Sequence, residues 1–211
     1  MRIVSLVLVF AAAAFVAPLA QADGTVNMVF VGVNGVNDGH FYVSPYNGTM
    51  NGQNVTLFCD DVINEVTFGQ TWTANVTNLA SGDFSTTRYG TFVPTGVTDV
   101  HVLYEEAAWL TTQFASQPSD YVNLQYALWD LMNPGTYGGT GVQRWLDQAA
   151  TNYGTIDPSH FNVVTNVGPL ALRGQVQEFV VQTPEPGTLL LLLCGLGTMT
   201  LLLTRRHALV A

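Results

Sequence analysis

Apolar and polar residues alternate from Thr25 to Val97 in short runs, each bounded by residues that favour turns. A period of two belongs to half-buried strands. It predicts strands over 25–33 (TVNMVFVGV), 40–46 (HFYVSPY), 53–59 (QNVTLFC), 65–77 (EVTFGQTWTANVT) and 88–93 (RYGTFV), with turns at NGVNDG, NGTMNG and ASGD. Short strands joined by tight turns predict a β-rich, largely antiparallel half.

Near Asp99 the period lengthens. Val100, Leu103, Tyr104, Ala107, Thr111 and Phe114 recur at helical spacing behind Asp99, a residue type that caps helix N-termini. A second helix is predicted from Ser119 to about Met132, where Asn133-Pro134-Gly135 stops it, and a third over 141–153. HFNVVTNV (160–167) and GQVQEFVVQT (174–183) then return to strand alternation. Strands, helices and strands in that order predict an α+β fold, a β-rich half carrying an inserted helical segment.

The two ends follow neither period. Arg2, an apolar run from Ile3 to Val16 and the triplet Ala20-Gln21-Ala22 predict a secretory signal peptide over 1–22, cut before Asp23. At the other end, Thr188 to Thr204 is an apolar segment that would rise roughly 25 Å as a helix. Arg205 and Arg206 follow it and, by the positive-inside bias, place the C-terminus in the cytoplasm. Residues 23–182 remain as one exported domain, ahead of a tail over 183–211 with its transmembrane helix at 188–204.

That tail resembles the PEP-CTERM sorting signal of bacteria that make exopolysaccharide. Pro184-Glu185-Pro186, the apolar span and the pair Arg205-Arg206 occur in the family's order. The resemblance implies recognition by an exosortase, anchoring in the inner membrane before sorting, and delivery to the cell surface or extracellular matrix.

Charge narrows the classes. The formal net charge is −9, and all six cationic residues are arginines, at 2, 88, 144, 173, 205 and 206. Such a surface is repelled by phosphate backbones, which argues against nucleic-acid binding. With no lysine in the chain, Lys–Asn and Lys–Asp isopeptide cross-links are excluded.

No cofactor or metal motif stands out. His40, His101 and His160 lack metal-ligand spacing, and NGVNDG puts Val36 where a calcium loop needs an oxygen ligand. Glu105 and Glu106 are adjacent, so on a helix they diverge by roughly 100° and are expected on a solvated face. No Gly-x-Ser-x-Gly elbow or phosphate loop occurs, so a hydrolase would have no assignable residues.

Two features remain. Cys194 lies in the predicted span as a small apolar filler, which leaves Cys59 as a lone thiol in the exported domain. A lone exported thiol ordinarily oxidises or cross-links. On the second predicted helix, Tyr121, Leu124, Gln125, Leu128, Trp129 and Met132 share one stripe, so Gln125 is a primary amide set in an apolar face. A buried amide must find partners or serve another purpose.

Phe58-Cys59 followed by Gln125-Tyr126-Ala127-Leu128-Trp129 resembles the two sequence blocks of the thioester domains of Gram-positive surface adhesins. In that family a cysteine sulfur displaces ammonia from a glutamine amide, and the resulting internal thioester acylates a nucleophile on a surface. The resemblance implies a thioester-domain-like fold, Cys59 as sulfur donor and Gln125 as acyl donor. It also implies that Ala127 leaves room and that Trp129 packs beside the bond. The implied partners are amine or hydroxyl groups of a surface or matrix polymer, and the implied role is adhesion by a single-use acylating module, not a turnover enzyme. Asp60 stands where the family has a hydrophobic residue, and its charge would raise the Cys59 pKa. The alternative is a buried structural thiol beside a hydrogen-bonded core amide, in a non-reactive matrix protein with the same sorting route.

Overall fold

Ten residues of strand alternation open the described chain. The computed structural model describes residues 24–34 and 36–183; the predicted signal peptide, sorting tripeptide, span and arginine pair lie outside the described residues. Strands β1 (Gly24–Val33), β2 (Tyr46–Met50), β3 (Gln53–Cys59), β4 (Thr71–Asn78), β5 (Phe161–Asn166) and β6 (Phe179–Gln182) close into a barrel in the order β1-β2-β3-β6-β5-β4. All neighbouring strands run antiparallel. Between β4 and β5 the chain leaves the barrel for helices α1 (Arg88–Thr91), α2 (Val100–Gln113), α3 (Tyr121–Met132) and α4 (Thr140–Asn152).

Alternation along each strand sorts side chains into two cores. Val26, Met28, Phe30, Tyr46, Leu57, Cys59, Ala74, Val76, Val164, Phe179 and Val181 fill the barrel. So small a barrel is filled by side chains rather than open as a channel. Gly48 shows how tight it is, since a Cβ there would meet Leu57 Cδ1 at 2.6 Å. The opposite faces of β3, β5 and β6 present Phe58, Phe161, Val163 and Val180 to the helices, where Leu103, Tyr104, Leu110, Leu124 and Leu128 complete a second core.

The helical insertion follows its pattern closely. Asp99 caps α2 by accepting from the His101 N–H at 2.9 Å, and Leu103, Tyr104, Ala107 and Thr111 are buried. Glu105 and Glu106 are half-buried rather than fully solvated, and partial burial raises the Glu106 pKa. A single turn over Pro118–Asp120 precedes α3, so the helix predicted from Ser119 begins at Tyr121.

Four strand predictions need correction. Residues 40–45 form a loop, and β2 instead occupies Tyr46–Met50, running into the predicted turn NGTMNG. Only Asn51 and Gly52 turn, with φ of 50° and 79°, as a two-residue hairpin loop requires. In 65–77 the strand starts at Thr71, and in 174–183 it starts at Phe179. The segment 88–93 forms helix α1. Thr87 Oγ1 caps it by accepting from the Gly90 N–H at 3.1 Å, and the Glu178 carboxylate takes the Arg88 N–H at 2.7 Å. Two side chains so bonded outweigh the alternating pattern of six residues.

Candidate functional site

Cys59 ends β3 and points into the barrel, while Gln125 lies on the α3 face that closes the barrel's end; both are fully buried. The structure brings these residues, sixty-six apart in sequence, into direct contact. Gln125 Nε2 donates to the Cys59 carbonyl at 2.6 Å, and Gln125 Oε1 accepts from the Ser44 N–H at 2.9 Å. The orientation of the amide is fixed by its partners, since one can only accept and the other can only donate. Ser44 Oγ in turn accepts from the Cys59 N–H at 2.9 Å, which closes a ring of bonds through Ser44, Cys59 and Gln125.

The sulfur has two polar neighbours. Cys59 Sγ–H donates to the Asp61 carbonyl at 3.3 Å, and Trp129 Nε1–H donates to Sγ at 3.5 Å. Burial pushes the thiol pKa well up, and Asp61 and then Asp60 add to the rise, while the bond from Trp129 opposes it. The thiol is therefore protonated at neutral pH.

Of the other residues in the two sequence blocks, Trp129 sits beside the sulfur. Phe58 and Ala127 pack in the helix-side core, Phe58 with its ring 5.1 Å from that of Phe114. Tyr126 stacks on Tyr137 and Trp129. Its hydroxyl also bonds the Asp38 carboxylate, which ties the β1–β2 loop across α3. That bond lies behind the rise of the Tyr126 pKa to about 12, second to desolvation.

Next to the thiol lies a buried group of charges with no counterpart in the sequence expectations. Arg88 Nη1 pairs with Asp61 Oδ2 at 3.1 Å, both side chains being wholly buried. Glu178 accepts from the Arg88 N–H, the Tyr104 hydroxyl and the Thr165 hydroxyl. Asp60 is fully buried, and neither of its carboxyl oxygens has a hydrogen-bond partner. Burial, then Glu178 and Asp61, push its pKa well above the usual carboxylate range, so Asp60 is held as the neutral acid. The expected effect of Asp60 on Cys59 is thus secondary to burial and to Asp61.

Ser44, Asp61, Arg88 and Glu178 were missed as site residues. For Arg88 and Glu178 there was a signal, since each is a charged residue inside a run that reads as a strand. For Ser44 there was none, because its role depends on a loop crossing α3. Among the described residues no group of three or more His, Cys, Asp or Glu is placed to hold a metal, and no helix is long and apolar enough to cross a membrane. No protein family, curated protein or solved structure matches this chain.

Proposed function

We propose that this protein is an exported surface or matrix protein, delivered by an exosortase, whose Cys59 and Gln125 form an internal thioester for covalent attachment. The observation that carries the reading is the Gln125 amide clamped between Ser44 N–H and Cys59 C=O, with the Cys59 sulfur on the residue it grips. Attack of Sγ on the Gln125 amide carbon would form the C–S bond and break the C–N bond. The thiol proton leaves with the amide nitrogen as ammonia. Negative charge develops on Oε1, which faces the Ser44 N–H, in the manner of an oxyanion hole. The departing nitrogen faces the Cys59 carbonyl, and Trp129 Nε1–H steadies the sulfur as it loses its proton. Complete burial of the pair keeps water from hydrolysing the product.

The absence of lysine fits this chemistry, since no side-chain amine of the chain is at hand to open the bond. The Pro184-Glu185-Pro186 tripeptide, the apolar span and Arg205-Arg206 carry the sorting half of the reading, with exosortase and the inner membrane as partners before release to the surface. A non-reactive matrix protein with the same route is the second reading, and the raised thiol pKa favours it.

Methylamine separates the two. In the thioester protein the amine adds to Gln125 and releases one titratable thiol, and a Gln125→Ala variant shows its thiol without amine. A wild-type thiol that reacts fully with alkylating agent in denaturant, before any amine is added, would favour the non-reactive protein.

A further inference from the structure

Beside the Cys59–Gln125 pair lies an open cleft of about 210 Å³ with Trp129 in its wall. We propose that it docks a sugar ring bearing a free amine, the acyl acceptor of the thioester; only the covalent step rests on the reading above. Three large rings stay exposed at its mouth: Phe41 at 44%, Tyr42 at 49% and Phe68 at 61%. Exposed apolar rings gathered around one cleft mark a binding surface rather than scattered exposure. Phe41 meets Trp129 edge-on at 5.6 Å, and Tyr42 meets Phe68 edge-on at 6.3 Å, so the rings are fixed by one another. The same Trp129 indole donates to the Cys59 sulfur, which joins the cleft to the reacting pair.

The polar groups in the cleft specify the rest. The Glu65 carboxylate, the Tyr42 hydroxyl and the His40 ring have no hydrogen-bond partner among the described residues. Gln177 gives its amide N–H to the Asp61 carbonyl at 3.2 Å, which leaves its own carbonyl oxygen to accept. Aromatic faces next to uncommitted acceptors suit a pyranose, whose C–H face is apolar and whose rim is hydroxyl. No lysine or arginine lines the cleft, which disfavours uronates and phosphorylated sugars. Glu65 and the ring faces attract an ammonium group instead.

The covalent step needs the Trp129 indole, which stands between the cleft and the buried pair, to swing aside; the sugar's uncharged amine nitrogen then attacks the Gln125 acyl carbon, the C–S bond breaks, and an amide forms. The proton released from nitrogen ends on the Cys59 sulfur.

Calorimetric titration of the Cys59→Ala protein with short glucosamine oligomers, their N-acetylated forms and uronate oligomers of equal length tests the docking without the chemistry. The glucosamine oligomer should bind at least about tenfold tighter than either, and Phe68→Ala should weaken it about tenfold. Equal binding of the N-acetylated form would overturn the amine preference. No binding, equal uronate binding or an unchanged Phe68→Ala protein would overturn the site. Wild-type protein should gain the whole mass of the oligomer. If methylamine adds to the wild type and no sugar binds, the cleft proposal falls alone; if sugar binds and neither amine adds, the thioester reading falls and the docking site stands.

Discussion

Cys59 and Asp60 are neighbours in sequence, yet they face different surroundings. The thiol turns into an apolar barrel where each polar group around it has a partner, namely Ser44, Gln125, Trp129 and the Asp61 carbonyl. The carboxyl has no partner, and it lies within electrostatic reach of Glu178, Asp61 and Arg88. Three acids and one guanidinium share that second region; burial raises the pKa of both Asp60 and Glu178, and Asp60, which has no hydrogen-bond partner, is raised well above the usual range. One side of the chain end is therefore a fully hydrogen-bonded thiol and amide, and the other stores an electrostatic cost in the fold.

Removing the only cation of the second region should have the largest effect. Arg88→Met leaves the Asp61 charge buried without its cation, only N–H donors such as those of Ile63 and Asn64 remaining, and should lower unfolding free energy by about 3 kcal/mol in denaturant titration. A loss below about 1 kcal/mol would mean that the carboxyls already share enough protons to stand alone. On the sulfur side, Ser44→Ala strips the acceptor from a buried Cys59 N–H, at about 1–3 kcal/mol. Because the Ser44 N–H to Gln125 survives that change, the thioester should still form, and mass spectrometry checks it.

Trp129→Phe keeps an aromatic ring and removes the donor to sulfur. It should cost about 1 kcal/mol and slow thioester formation about fivefold after refolding, followed by intact mass over time.

The smallest effect at acid pH, and a growing one above it, should come from Asp60→Asn. Because the folded state raises the Asp60 pKa, it holds a proton that the unfolded chain releases from about pH 4 upward. Folding then takes up protons, so stability falls as pH rises from that point until the folded carboxyl ionises. Glu178 acts with the same sign. The variant should show a flatter stability curve than wild type across that range, and an unchanged slope would place the proton elsewhere in the cluster.

The two regions also differ in how legible they were. Gln125 stood out because a primary amide broke an apolar helical stripe, and Cys59 because residues 23–182 contain no second thiol. Both signals are local, and α2, α3, α4 and β3 lie close to where periodicity puts them. Barrel closure was not legible, because it depends on β1 pairing with both β2 and β4 and on β6 completing the gap between β3 and β5. Nor was the strand at Tyr46–Met50, where Asn47 and Gly48 look like a turn until the Leu57 side chain, packed over Gly48, demands a residue without a Cβ. Arg88 read as a strand residue because its partners, Asp61, Val176 and Asn166, come from three distant segments.

The most direct test of the account is the intact mass of the purified protein beside a Cys59→Ala control, both under non-nucleophilic conditions. The account predicts a wild-type mass lower than its sequence requires by one ammonia, roughly 17 Da, with no such deficit in the control. A wild-type mass equal to the sequence, with a thiol that alkylates fully on unfolding, would contradict it.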